Sequence, residues 1–133
     1  MVTGFLVIFT CFLCTGSGNS SGSGDPNVPT HQNITAETAY QMMQKSTNYI
    51  LLDVRTEPEF REKHIGGAVL IPDFELEKRA ASELPDKNAV ILVYCRSGVR
   101  SANAAKALAE KGYTKVFNFG GIIHWPYETV SGN

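Results

Sequence analysis

The chain has 133 residues, 43% of them apolar and 19% charged, and a formal net charge of −1. That length holds one domain around one core, and the composition is that of an ordinary soluble globular chain. The basic residues are scattered and make no nucleic-acid footprint, so that class of function is set aside.

Met1 to Cys14 is almost wholly apolar, and no charged side chain precedes Asp25. The run is short of the ~20 apolar residues a membrane-crossing helix needs. It fits the apolar region of a signal peptide, with small residues at Thr15, Gly16 and Ser17 for cleavage. Only the α-amino group supplies positive charge near Met1. The alternative is a buried strand, which the polar tract behind it would isolate from the core. Cys11 and Cys14 have the spacing of a redox or zinc pair but lie in an apolar run with no βαβ context. They also resemble the lipid-acceptor cysteine of bacterial lipoprotein signals, Thr10 before Cys11 suiting that role better than Leu13 before Cys14. The expectation is a leader over 1–15 and an exported chain, periplasmic or extracellular, with a membrane anchor if a cysteine is lipidated. Either route leaves Cys95 as the one cysteine of the folded domain, which then has no internal disulfide.

Residues 16–30 are Gly, Ser, Asn and Pro with little to bury, a flexible tether, so the domain is expected over 31–130. Thr35 caps a first helix, with Glu37 in its first turn and Ala36, Ala39, Tyr40 and Met43 at helical spacing. Tyr49 to Val54 reads as a strand covered on both faces. A short helix follows from Pro58, a strand over Ala68 to Ile71 and a polar helix over 74–83. Ala89 to Tyr94 is the most apolar strand and therefore central. Cys95 to Arg100 is expected as a loop and Ser101 to Lys111 as a helix capped by Gly112. Val116 to Phe119 is the last strand, before Gly120-Gly121 turns into a short helix carrying Trp125. Strands alternating with helices at this spacing give an α/β domain with a mostly parallel sheet flanked by helices. Ligands of such sheets bind beyond the carboxyl ends of the strands, where Cys95 lies.

The segment Cys95-Arg96-Ser97-Gly98-Val99-Arg100-Ser101 leaves a buried strand and enters a helix. The first N–H groups of that helix lack internal partners and point back into the turn. Gly98 permits the φ such a turn needs. The donors form an anion-binding nest with the thiol at its mouth, and Arg96 and Arg100 add positive charge. All of this favours an exposed Cys95 thiolate of depressed pKa. The bland alternative is an inert buried cysteine ending a strand.

Three stretches make the chain resemble the rhodanese (sulfurtransferase) family. They are Leu51-Leu52-Asp53-Val54-Arg55 with Glu59-Phe60, His64-Ile65-Gly66-Gly67-Ala68 and Ile71-Pro72; Val93 to Ser101; and Gly120-Gly121 followed by Trp125. The likeness covers essentially all of 31–130 and implies a rhodanese-like three-layer domain. It also implies sulfur transfer in two steps: Cys95 takes the outer sulfur of a donor such as thiosulfate as a persulfide, and a thiophilic acceptor removes it. Arg96, Ser97, Gly98, Val99, Arg100 and Ser101 would bind the substrate. Cysteine phosphatases and related arsenate reductases of the same fold carry a C-x5-R loop. Arg100 closes a C-x4-R loop here, a smaller cradle suited to one sulfur atom.

Asp53, Arg55 and Glu59 are expected to support the site, Asp53 holding nearby loops and Arg55 pairing with Glu59. His64 is expected in a structural hydrogen bond, Trp125 at the core edge and His124 at the surface. His31, His64, His124 and Cys95 are too far apart in sequence for a zinc site, and neither metal nor organic cofactor is indicated. The rival reading is a non-enzymatic rhodanese-like module that binds a partner or senses sulfur species. Such modules usually lose the cysteine or the arginines, and this chain retains Cys95, Arg96 and Arg100.

Overall fold

The computed structural model describes residues 30–133; the expected leader and all but the last residue of the tether lie outside them. The elements run β1 (Gln32–Asn33), α1 (Ala36–Lys45), β2 (Ile50–Asp53), α2 (Glu57–Glu62), β3 (Val69–Leu70), a 3-10 turn (Asp73–Glu75), α3 (Leu76–Glu83), β4 (Val90–Cys95), α4 (Val99–Glu110), β5 (Lys115–Gly121) and a second 3-10 turn (Ile122–His124). Five strands form one sheet in the order β1-β5-β4-β2-β3, and every paired neighbour runs parallel. All the strand ends therefore open along one edge.

The apolar run of β4 is central because it is buried on both faces. Ile91, Val93 and Cys95 point into one cluster with Leu76 and Ala80 of α3 and Ala104, Ala105 and Leu108 of α4. Leu92 and Tyr94 point the other way, among Ala39 of α1, Phe119, Ile122 and Trp125. That alternation is the two-residue period of a strand, and it makes the sheet the middle of three layers. Each fully buried aliphatic side chain in these layers contributes ~1.5–3 kcal/mol.

The helix starts follow local chemistry. Thr35 Oγ1 accepts from the Thr38 N–H at 3.0 Å, the cap expected for α1. Pro58 falls inside the first turn of α2, where its missing N–H has no helical partner to lose. Two expectations change. The edge strand β1 is unforeseen, since two residues carry no periodicity; it pairs beside Phe117 and Asn118 of β5. Gly120 and Gly121 close β5 rather than turning away from it, and Trp125 follows the 3-10 turn instead of riding on it.

Candidate active site

The site grows from the end of β4. Cys95 shares the face of Ile91 and Val93, so its sulfur points toward α4, whose N-terminus lies three residues on. Gly98 stands at the cap of α4 with φ +108, a left-handed conformation that a residue with a Cβ seldom adopts. That geometry folds the chain back so that the Gly98 N–H donates to Cys95 Sγ at 3.0 Å. The helix begins at Val99, two residues earlier than the sequence pattern suggests, because Val99 and Arg100 carry no apolar stripe to announce it. Arg100 thus belongs to the first turn of α4 and not to the loop.

Burial alone would push the Cys95 thiol up. The polar groups around the sulfur, the Ser101 hydroxyl first and then the N–H groups of Ser101, Gly98 and Ser97, outweigh that cost and hold it below the ordinary thiol value. Ser101 is itself fully buried, with Oγ 3.1 Å from the Gly98 carbonyl and 3.3 Å from that of Gly120. One feature of the thiol departs from expectation: Cys95 is buried, not exposed. It is the last residue of the central strand and is sealed between the sheet and α4.

The other expected residues divide. Val99 is exposed and turned outward. Arg96 is exposed and, among the described residues, has no carboxylate within ion-pair distance. It lines a pocket of about 190 Å³ with Arg55, Glu59, Glu62, Lys63, Ile122 and Ile123. Arg100 reaches across to α2 and donates through Nη1 and Nη2 to the two oxygens of Glu59, both at 2.9 Å. Glu59 also accepts from the N–H and hydroxyl of Thr56, at 2.9 and 2.8 Å. The fork of Arg100 chiefly, with the Thr56 donors, draws the Glu59 carboxyl down to about 2, against the opposing cost of its partial burial.

The expected Arg55–Glu59 pair is not formed. Arg55 is buried, and its Nη2 lies 2.7 Å from Asp53 Oδ2 and 2.6 Å from the Lys63 carbonyl. Its backbone N–H donates to Asp53 Oδ1 at 2.9 Å. The two-residue spacing along an extended segment brings Arg55 back onto Asp53 before it can reach α2. Its guanidinium also lies 5.6 Å from the Tyr94 ring centroid. The Tyr94 oxygen accepts from the Ile65 N–H at 3.1 Å, which ties the turn after His64 to β4. His64 is buried, with Nδ1 2.8 Å from the Phe60 carbonyl and its ring stacked on Phe60, a structural place.

Three residues not expected at the site complete it: the Gly120-Gly121 pair of the family likeness, and Asn118, which the sequence did not single out. Gly121 is the neighbour of Cys95 across the sheet, and the β4–β5 register shifts between Val93 and Cys95. Two residues of β5 there, Phe119 and Gly120, face the single residue Tyr94 of β4, a bulge. Gly120 takes up the extra length at φ +92, and its N–H donates to Asn118 Oδ1 at 3.1 Å. Asn118 Nδ2 donates in turn to Asn33 Oδ1 of β1 at 3.0 Å. The signal was present: an asparagine two residues before a glycine pair, inside an otherwise apolar strand, marks a bulge. A larger groove of about 760 Å³ lies beside α1, lined by Tyr40, Tyr49, Trp125 and Tyr127 among others, with no cysteine among the described residues that line it. Among the described residues, no three of His, Cys, Asp and Glu gather as a metal site.

The sequence and fold are similar to those of known proteins. Residues 35–126 match the family model of the rhodanese-like domain. The thiosulfate sulfurtransferase PspE of Escherichia coli (strain K12) is 42% identical over 81 residues, covering 61% of this chain and 78% of that protein. A sulfurtransferase of Allochromatium vinosum is 37% identical over 93 residues, 69% of this chain and 85% of the other. Among solved structures, a rhodanese with anions from E. coli aligns with a TM-score of 0.60 at 38% identity, over 63% of this chain and 99% of that one.

Proposed function

The chain belongs to the rhodanese-like family and is a rhodanese-type sulfurtransferase; from that premise we propose that it carries sulfane sulfur as a persulfide on Cys95. The Cys95 thiolate attacks the outer sulfur of thiosulfate. A bond forms between Sγ and that sulfur, the sulfur–sulfur bond of the donor breaks, and its electron pair leaves with sulfite. A thiophilic acceptor, cyanide in an assay or a thiol in the cell, then takes the outer sulfur and returns the electron pair to Sγ.

One observation carries this reading: the Gly98 amide donates to Sγ at 3.0 Å at the start of α4. A preorganised N–H aimed at sulfur stabilises negative charge on it without reorganising, as oxyanion donors do elsewhere. The thiol then needs no general base. Arg96, exposed and without a carboxylate partner among the described residues, is placed to draw in an anionic donor. The test is intact mass spectrometry of the full chain after thiosulfate, with and without cyanide. The expected product is one sulfur atom heavier, is discharged by cyanide as thiocyanate and is lost in Cys95→Ser. No adduct, or robust hydrolysis of an aryl phosphate instead, would overturn the proposal.

The apolar run Met1–Cys14 supports a further part of the reading, a leader that exports the chain. Lipid attached at Cys11 or Cys14 would keep it on a membrane. The mass of the protein recovered from its native cell separates cleavage from lipidation.

A further inference from the structure

We propose that Glu59 is a positioning residue that sets the anion specificity of the site, by occupying the Arg100 fork so that it is closed to a dianionic donor and to the sulfite the donor releases. The inference rests on the thiosulfate reading above and adds a limit on how tightly the site holds its anions.

Four observations lead to it. Arg100 is in the first turn of α4, two residues past the glycine whose N–H holds the sulfur. Its guanidinium is engaged bidentately by Glu59, both bonds at 2.9 Å. Glu59 cannot swing aside freely, because Thr56 holds the same carboxylate with two more hydrogen bonds. Arg55, the third arginine near the pocket, is likewise matched to a carboxylate, Asp53. Two of the three arginines at this edge are therefore neutralised, and among the described residues Arg96 and Lys63 are the cations of the pocket left without a carboxylate partner.

The chemistry makes the pairing consequential. A planar guanidinium fork binds O–C–O of a carboxylate and O–S–O of a sulfonate end in the same way. Glu59 thus occupies the very N–H groups that thiosulfate or sulfite would use. A site with two free forks would bind the dianionic donor more tightly. It would also retain sulfite after the sulfur–sulfur bond had broken, and the acceptor could not then approach. Uniform tightening of this kind lowers KM without raising kcat. The carboxyl held at about 2 keeps the pair charged at every pH where the thiolate reacts.

Sulfite binding to the full chain, measured by calorimetry at low salt, tests this without needing turnover. Glu59→Gln should bind sulfite about three- to tenfold more tightly than the native chain, one charge-assisted pair having become free. Glu59→Asp, which keeps the charge, should stay near the native value. Glu59→Gln combined with Arg100→Gln should lose the gain, which shows that the effect passes through Arg100. In turnover, the Glu59→Gln KM for thiosulfate should fall with stronger sulfite inhibition and no rise in kcat. Unchanged or weaker sulfite binding in Glu59→Gln overturns the inference and leaves the pair as a strut between α2 and α4. Failure of the native chain to take up sulfur from thiosulfate would instead overturn the persulfide reading, whichever way the sulfite titration falls.

Discussion

Gly121 lies so close to the backbone of Arg96 that a Cβ built on it would fall 2.1 Å from the Arg96 carbonyl oxygen and 2.7 Å from Ser97 Cα. Both obstacles belong to the turn that carries the amide nest. Gly121→Ala should therefore displace that turn. The expected cost is about 1–3 kcal/mol of stability by urea unfolding. Sulfur uptake should fall ~100-fold, as displacements near 1 Å do to oriented reactions. A well-folded Gly121→Ala protein with full activity would refute the close contact.

The Asp53–Arg55 pair is buried, at 0% and 4% exposure, and removing one partner strands the other's charge. Asp53→Asn should destabilise the domain by about 3–5 kcal/mol. Asp53→Asn with Arg55→Met should recover much of that loss, since no unpaired charge then remains. Equal stability of the single and double variants in urea would show that the charge is solvated after all.

Glu59 has a folded-state pKa of about 2 against 4.5 in the unfolded chain. A depressed carboxyl pKa contributes stability that is present above the unfolded value and lost as pH falls toward the folded one. The stability difference between the native chain and Glu59→Gln should therefore be full at neutral pH, ~1–2 kcal/mol. It should shrink between pH 4.5 and 2. A difference independent of pH over that window would mean that the ion pair is not its source.

For Cys95 the direction is downward from 9.0, the hydrogen bonds outweighing the cost of burial. The rate of alkylation by a small iodo reagent should rise with pH and level off below the range of an ordinary thiol. Ser101→Ala, which removes the hydroxyl, should move that inflection upward. An inflection at or above the ordinary value in the native chain would sink the thiolate argument.

Much of the fold was legible because parallel strands buried on both faces are written as unbroken apolar runs, and Val90 to Cys95 and Ile50 to Asp53 were found within a residue or two. The start of α4 was placed late because Val99 is exposed and Arg100 polar, so helical periodicity begins only at Ser101. The family likeness pointed to Cys95 and its loop. It could not say where Arg100 would reach, since the two ends of the Glu59–Arg100 pair are 41 residues apart. Local spacing suggested Arg55 as the partner of Glu59, and the nearer carboxylate, Asp53, took it instead. The bulge at Gly120 is marked in the sequence only by the glycine pair two residues past Asn118, while the register shift it makes is a relation between two strands.

Cys95 combines an acidified sulfur with 0% of its surface in contact with water. Ionisation and accessibility are thus set by different parts of the molecule, the first by main-chain amides and the second by whatever must part before a reagent arrives. Small donors should be admitted much faster than bulky electrophiles of equal intrinsic reactivity, and chance oxidants should find a nucleophile that is primed but shut away. For this protein, sulfur chemistry is rationed by entry.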